Sequence, residues 1–247
     1  MTMAILFVTV LVGALLQRVS GMGLGLVASP ILMLLFGPIE GILIVNLLAM
    51  INAGASTLTL WRDVDWKILA VLGPALIAGI VPGSFLVREL PTDPLLILVG
   101  LLLLLALGVV TVGKRFVPPI DGRLPAAIAG MIGGFMNTLA GAAGPAITVY
   151  AQAAKWDQRR YAATLQPVFF IAGMGSFSIK LLLGAADFGS VDLLVWPVGI
   201  VALALGLFVG VRVAPRVPKP TGRVIALTLA GMGGLTAVIR GLLGVMN

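Results

Sequence analysis

Before Glu40 the chain carries a single charged side chain, Arg18, which lies next to a glycine-rich run at 20–25. One straight helix over 4–36 would be about 50 Å long, whereas the hydrocarbon core of a bilayer is about 30 Å thick. We therefore expect this segment to break within the membrane into two short helical arms. A broken helix with an arginine beside the break is typical of a polar site inside a membrane protein.

Apolar runs of about 20 residues recur along the whole chain between short charged loops. Hydrophobic residues make up 60% of the sequence and charged residues 10%, which predicts an all-α polytopic membrane protein and excludes a soluble core. The absence of Cys and His excludes disulfides, thiol chemistry and imidazole metal sites. The cations are spread over many loops, so we expect the bilayer, and no nucleic acid, as the partner, with no cofactor or metal.

Six segments between charged residues are long enough to cross the bilayer. They are 41–61, 68–87, 95–113, 161–186, 193–211 and 224–246. Two further segments, 1–39 and 124–154, each contain two short apolar arms around a glycine-rich centre. We interpret both of these segments as re-entrant hairpins that enter and leave the membrane on the same side.

The second half of the chain repeats the pattern of the first. A shift of 120 residues pairs Gly13 with Gly133, Gln17 with Asn137, Gly21 with Gly141, Asn46 with Gln166, and Ser56 with Ser176. A shift of 127 then pairs Asp65 with Asp192, Gly79 with Gly206, Gly83 with Gly210, and Pro91 with Pro218. Duplicated halves are typical of transporters. The predicted repeats are 1–115 and 121–247, with a linker at 118–122.

The loop charges favour a topology in which the two repeats are inverted. If both glycine-rich segments re-enter, Arg88 and Arg240 lie on one side, whereas the other side collects Arg62, Lys67, Lys114, Arg115, Arg123, Lys155, Arg159, Arg160, Arg212, Arg216, Lys219 and Arg223. The positive-inside rule places the larger set in the cytoplasm, so both termini face away from it. The alternative is a parallel duplication with eight crossings, in which the loop cations divide almost evenly.

We expect the two glycine-rich breaks to form a substrate site. The first break contains Gln17, Arg18, Ser20, Gly21, Gly23 and Gly25, and the second contains Asn137, Thr138, Gly141 and Gly144. Glycine lets the chain turn and brings backbone N–H groups close to a ligand, and a helix N-terminus favours an anion. The alternative is close helix packing through small residues, which does not explain the paired Gln17 and Asn137.

Arg18 and Lys180 are cations inside predicted membrane segments, and no carboxylate of the sequence lies at a matching depth. Because a cation inside the membrane is costly without a partner, we expect the missing counter-ion to be the substrate. The alternative for both side chains is snorkelling to the interface.

Uncharged polar side chains complete the predicted site. Asn46 and Gln166 occupy equivalent positions in the two repeats, so we expect both to reach a common central axis. For Asn52, Thr57 and Ser178 we expect ordinary hydrogen bonding between helices.

The pattern Gly13-x-x-x-Gln17-x-x-x-Gly21-x-Gly23-x-Gly25-x-x-x-x-Pro30, the later Val64-Asp65-Trp66 and the second Gly141-x-x-Gly144-Pro145 resemble the sulfite exporter TauE/SafE family, also called the toluene sulfonate uptake permease group. The resemblance implies a bacterial-type inner-membrane transporter of small sulfur-containing anions such as sulfite, sulfoacetate, other organosulfonates or thiosulfate. Family members often have Asn-Lys after the first loop, whereas here Leu47 follows Asn46. Arg18 or Lys180 would then supply the missing cation.

Physical reasoning from the residues favours the same class of substrate, because unpaired cations and half-helix N-termini suit a sulfite or sulfonate anion. Acidic side chains and histidine are missing from the predicted spans, so a carboxylate-based proton relay is not supported. The membrane potential alone is sufficient to drive export of a monoanion, although the sequence does not fix the energy coupling. Two alternatives are a membrane enzyme, which would need a nucleophile and base, and a non-transporting scaffold, which would not need buried cations. The sequence does not decide between a monomer and a homo-oligomer.

Overall fold

The computed structural model describes residues 1–21, 24–112, 119–120 and 122–246. In this part of the chain the fold is all-helical and contains no strands. The helices are α1 (Thr2–Ser20), α2 (Leu24–Phe36), α3 (Pro38–Leu60), α4 (Trp66–Glu89), α5 (Thr92–Val112), α6 (Arg123–Ala140), α7 (Gly144–Ala153), α8 (Gln158–Leu182), α9 (Val195–Val213) and α10 (Lys219–Met246). Gly23 and positions 118 and 121 of the predicted linker lie outside the described residues.

Among the described helices, seven are long and apolar enough to cross a membrane: α1, α3, α4, α5, α8, α9 and α10. Six of them lie within a few residues of the six predicted crossings. The seventh, α1, differs from the predicted short arm because it continues without interruption for 19 residues, a length of about 28 Å. Its partner in the first hairpin, α2, has 13 residues.

Both breaks end a helix in the same way. Gly21 follows α1 with a φ of 80° and donates its N–H to the Gln17 carbonyl at 2.8 Å. Gly141 follows α6 with a φ of 65° and donates to the Asn137 carbonyl, also at 2.8 Å. Only glycine adopts this left-handed conformation without strain, and the bond satisfies a carbonyl at the helix end. The predicted equivalence of the two breaks therefore extends to their local structure.

Glycines also allow close packing in two helix pairs. Helix α4 packs on α6, where a Cβ on Gly79 would overlap the Met131 carbonyl oxygen. Helix α9 packs on α1, where a Cβ on Gly206 would lie 2.6 Å from the Leu11 carbonyl oxygen. Small residues let membrane helices approach this closely, which increases van der Waals contact.

The centre of the molecule is formed by α3 and α8, which pack directly on each other. A Cβ on Gly173 of α8 would lie 2.7 Å from the backbone oxygen of Asn46 in α3. This contact leaves no room for a larger side chain, so the two helices meet at the depth of Asn46. Asn46 thereby lies within hydrogen-bond distance of Asn137, next to the second break.

Candidate functional site

The two breaks meet at a small cavity in the interior. A Cβ on Gly25, in the first turn of α2, would overlap the Gly141 carbonyl oxygen of the other break. The space between them measures about 40 Å³ and is lined by Gln17, Gly25, Leu26, Ala49, Asn137, Gly141, Ala142, Ala143, Gly144, Pro145 and Phe169. We call it the central cavity. Because α2 begins at Leu24 and α7 at Gly144, two helix N-termini converge on it.

Asn137 links three helices next to this cavity. Its Nδ2 lies 3.2 Å from Asn46 Oδ1 of α3, 3.0 Å from Ser176 Oγ of α8 and 3.0 Å from the Ala172 carbonyl oxygen, also of α8. An amide nitrogen has two hydrogens, so three acceptors compete for two donor positions. Asn46 Nδ2 has no hydrogen-bond partner among the described residues. Asn46 Nδ2 therefore lacks an acceptor among the described residues, whereas Asn137 Nδ2 has more acceptors than hydrogens.

Lys180 lies beside the last turn of α6. Its side chain is 0% exposed, so it does not reach the interface. Its Nζ donates to the Thr138 carbonyl at 3.5 Å, and within the described part of the chain no carboxylate comes within 4 Å of it. The Thr138 hydroxyl bonds to the Gly134 carbonyl at 3.0 Å and to Ser176 Oγ at 2.9 Å. A cation at this position interacts favourably with the negative end of the α6 dipole.

A second cavity of about 130 Å³ adjoins the central one. It is lined by Gln17, Arg18, Val19, Gly21, Asn52, Ser56, Leu60, Gln158, Ala162, Gln166 and Leu207. Gln17 lines both cavities, and its Oε1 accepts the Leu24 N–H at 3.2 Å across the break. Arg18 is exposed, and its aliphatic stem packs on Gly210 of α9. The second cavity therefore combines a cation with several amides.

The predicted site residues divide between these places. The central cavity is lined by Gln17, Gly25, Asn137, Gly141 and Gly144, and the second cavity by Gln17, Arg18, Gly21 and Gln166. Asn46, Thr138 and Lys180 line neither cavity but surround Asn137 or the end of α6. Ser20 ends α1, and Gly23 lies outside the described residues.

Sequence reasoning missed Asn52, for which it predicted a hydrogen bond between helices. The structure places Asn52 in the wall of the second cavity, and neither atom of its amide has a hydrogen-bond partner among the described residues. The polarity of Asn52 within a predicted span was a visible signal. What the sequence could not show is whether a neighbouring helix offers a partner.

Ion pairs join the loop after α3 to the start of α8 and so connect the two halves. Arg159 Nε lies 2.8 Å from Asp63 Oδ2, and Arg160 pairs with Asp65. Asp157 caps α8, and the hydrogen bond from the Arg160 backbone N–H is the main cause that lowers the pKa of its carboxyl below the ordinary 3.8. The described residues contain no cluster of three His, Cys, Asp or Glu side chains that could hold a metal ion.

Comparison with known proteins identifies the family. No curated protein and no solved structure matches the chain significantly. The family model described as sulfite exporter TauE/SafE matches residues 5–244, which confirms the resemblance drawn from the glycine motifs. Because the match covers both breaks and nearly all of the 247 residues, the protein belongs to the sulfite exporter TauE/SafE family of membrane transporters.

Proposed function

We propose that the protein exports small sulfur-containing anions, sulfite or an organosulfonate, across the inner membrane. The observation that carries this proposal is the convergence of two half-helix N-termini on a cavity lined by the amides of Gln17 and Asn137, next to a second cavity lined by Arg18. Helix N-termini and amide donors stabilise anionic oxygens. Among the described residues no carboxylate within 4 Å neutralises Arg18, so its charge is available to a substrate.

In the proposed site the anion passes the central cavity between Gln17 and Asn137. Asn46 holds Asn137 in place by accepting from its amide, while backbone groups of Gly141 and Gly144 border the cavity. Arg18 and Gln166 act from the second cavity. Thr138 and Lys180 act from the end of α6, where the lysine adds positive potential without lining the cavity.

Two matched sets of contacts support an inverted repeat as the framework of this site. Gly79 and Gly83 of α4 pack against Met131 and Thr138 of α6, and a Cβ on Gly83 would lie 3.1 Å from Thr138 Cβ. The same shifts that relate the two halves carry these contacts to those of Gly206 with Leu11 and of Gly210 with Arg18. Two copies of one contact are expected if a two-fold axis relates the repeats. Re-entry of both broken segments then gives the topology favoured by the loop charges.

Export needs no ion coupling in this proposal. With the cell interior negative, moving a monoanion outward is favourable by about 2.3 kcal/mol per 100 mV of membrane potential. The titratable groups needed for a proton relay are absent from the two cavity linings. The membrane potential alone can therefore drive the transport.

Transport by the purified protein in liposomes tests the proposal. Vesicles loaded with sulfite should lose it faster with the protein than without it, and an inside-negative potential set with potassium and valinomycin should increase the rate. Sulfoacetate should compete with sulfite, whereas equal concentrations of chloride should not. Efflux no faster than from protein-free vesicles, for sulfite and for sulfoacetate alike, would refute the proposed function.

A further inference from the structure

The second cavity is larger than the central one and holds more free hydrogen-bonding groups. On a volume scale where roughly 10–15 Å³ is enough for one water, the central cavity of about 40 Å³ holds a few waters. The second cavity of about 130 Å³ has room for several more. In this structure a small organosulfonate fits the second cavity but not the central one.

Asn52 is the side chain that most clearly lacks a partner in this cavity. It is 1% exposed, lines the cavity, and finds no hydrogen-bond partner among the described residues for either Oδ1 or Nδ2. A buried amide that has lost its hydrogen bonds to water and formed none within the protein destabilises the folded state. A bound anion would supply the missing acceptor for Nδ2.

Two neighbours add to the binding capacity of the cavity. Gln166 is 7% exposed and donates one Nε2 hydrogen to the Ala162 carbonyl at 3.2 Å, which fixes the orientation of its amide and leaves the second Nε2 hydrogen as a donor for an anion. Its Oε1, which has no partner among the described residues, can accept only from a protonated anion such as bisulfite. Arg18 lines the same cavity and has no carboxylate within 4 Å in the described part of the chain. The wall thus offers one cation, free amide donors and free amide acceptors.

We propose that the second cavity is a separate binding site for sulfite or a small sulfonate, in which Arg18 pairs with the anion and the Asn52 amide donates to one of its oxygens. This inference rests on the proposed transport of such anions. Leu60 and Gln158, at the loop ends of α3 and α8, border the cavity at one end, and Gln17 is shared with the central cavity. An anion bound here is therefore held before it reaches the central cavity.

The variant Asn52→Leu should increase thermal stability and decrease the affinity for sulfite. Removing an unpartnered buried amide should raise the melting temperature of the ligand-free protein. Removing a donor to the anion should raise the Kd for sulfite about tenfold or more, measured by isothermal titration calorimetry of protein in lipid nanodiscs. If Asn52 only joined helices, the variant would melt at a lower temperature and bind sulfite as the wild type does.

Two control variants separate these effects. Thr57→Val changes the same helix at a hydroxyl that already bonds to the Ala53 carbonyl at 2.7 Å, so the sulfite Kd should stay at the wild-type value. Ser84→Ala removes another buried hydroxyl without a partner among the described residues, in α4 and outside both cavity linings. It should raise the melting temperature and leave the Kd unchanged.

A third variant tests whether the second cavity is a site of its own. Of the two cavities Asn137 lines the central one, so Asn137→Leu should lower sulfite efflux about tenfold yet keep the wild-type sulfite Kd. A Kd raised equally by Asn137→Leu and Asn52→Leu would overturn the inference, because both side chains would then serve one site.

The remaining outcomes are also decisive. An unchanged sulfite Kd in folded Asn52→Leu overturns the inference, and the proposed function still stands if vesicles with wild-type protein release sulfite. If Asn52→Leu does not fold, Asn52→Asp keeps the shape and adds a negative charge next to Arg18. That variant should bind sulfite at least tenfold more weakly, and a wild-type Kd would overturn the inference. Failure of the wild type both to bind and to transport sulfite would refute the inference and the proposed function together.

Discussion

Asn137 is the side chain through which α6 is tied to α3 and α8. Its amide nitrogen reaches Asn46 Oδ1, Ser176 Oγ and the Ala172 carbonyl, all within 3.2 Å. The same residue ends α6 by accepting the Gly141 N–H and lines the central cavity. The left-handed Gly141 forms the second break, and the Asn137 side chain ties that break to α3 and α8. The same residue lines the proposed path of the anion.

Asn137→Leu should lower sulfite efflux from vesicles about tenfold, because loss of a buried, hydrogen-bonded amide costs about 1–3 kcal/mol. Asn46→Leu should have a similar effect, since it removes the acceptor that orients Asn137. The double variant should be little worse than either single one, because the two side chains act as a pair. Thr236→Val, at a hydroxyl bonded within its own helix, serves as the control. Effects of the two asparagines that simply add would contradict the shared role.

Lys180 is a second residue whose role can be separated from folding. The side chain is fully buried, and the hydrogen bond described for its Nζ is the one to the Thr138 carbonyl at 3.5 Å. Replacing a buried charge by an apolar side chain of similar size is often neutral or stabilising. Lys180→Met should therefore melt no lower than the wild type, while sulfite efflux falls because positive potential near the second break is lost. A lower melting temperature with unchanged efflux per folded molecule would assign Lys180 to structure alone.

Among the helices, two close pairs occupy positions that the sequence repeat relates, namely α4 with α6 and α9 with α1. In each pair a glycine of one helix lies against the backbone of the other, so that a Cβ at Gly79 or at Gly206 would strike a carbonyl oxygen. A backbone oxygen cannot rotate away as a side chain can. The distance between the helices of each pair is therefore possible only because Gly79 and Gly206 have no Cβ.

Gly79→Ala should lower the melting temperature, because the new methyl group forces α4 away from α6, and overpacking of this kind costs about 1–3 kcal/mol. Gly206→Ala should cause a loss of similar size if the two helix pairs are equivalent. Gly108→Ala in α5 is the matched control: a Cβ there meets no atom within 4 Å, and alanine favours a helix by about 1 kcal/mol over glycine. Equal melting temperatures for all three variants would contradict the role given to the close contacts.

Helix positions were predictable from the sequence because bilayer thickness sets the length of an apolar run, and the breaks were predictable because left-handed residues require glycine. The uninterrupted 19-residue length of α1 was not, since the position of a break does not fix whether the arm before it stays short or reaches the thickness of the membrane. The shift that pairs Gly79 with Gly206 predicted equivalent positions, but contacts with Met131 and Leu11 depend on tertiary packing. Hydrophobicity and spacing also carry no information on whether a buried amide such as that of Asn52 finds a partner.

At the scale of the whole molecule, a charged loop of the first half meets the start of α8 in the second half. The Arg159–Asp63 and Arg160–Asp65 ion pairs join the loop after α3 to the start of α8, and the Asp65 N–H donates to Thr164 Oγ1 at 3.0 Å. These contacts connect the two halves beside the second cavity, whose lining includes Leu60 and Gln158. In the proposed inverted topology this end of the molecule faces the cytoplasm, as the positive-inside rule favours for loops that carry Lys and Arg.

Reporter fusions test the inverted topology. A reporter fused after Arg115 should be active in the cytoplasm, and one fused after Asn247 should be active outside it, because three crossings separate the ends of the second repeat. Alkaline phosphatase and green fluorescent protein fusions at both positions provide opposite signals and control for expression. The same side for both positions would favour the parallel duplication with eight crossings.

The exchange of partners between the halves has a consequence for biogenesis. Helix α4 packs most extensively on α6, and α1 packs most extensively on α9. Each half of the chain therefore buries a helix surface of the other half. During synthesis α1 and α4 enter the membrane with their contact faces toward lipid, and these faces remain uncovered until the ribosome has made α6 and α9. A truncated chain that stops in the linker presents unassembled helices to membrane proteases, whereas two half-chains made in the same cell can complete each other.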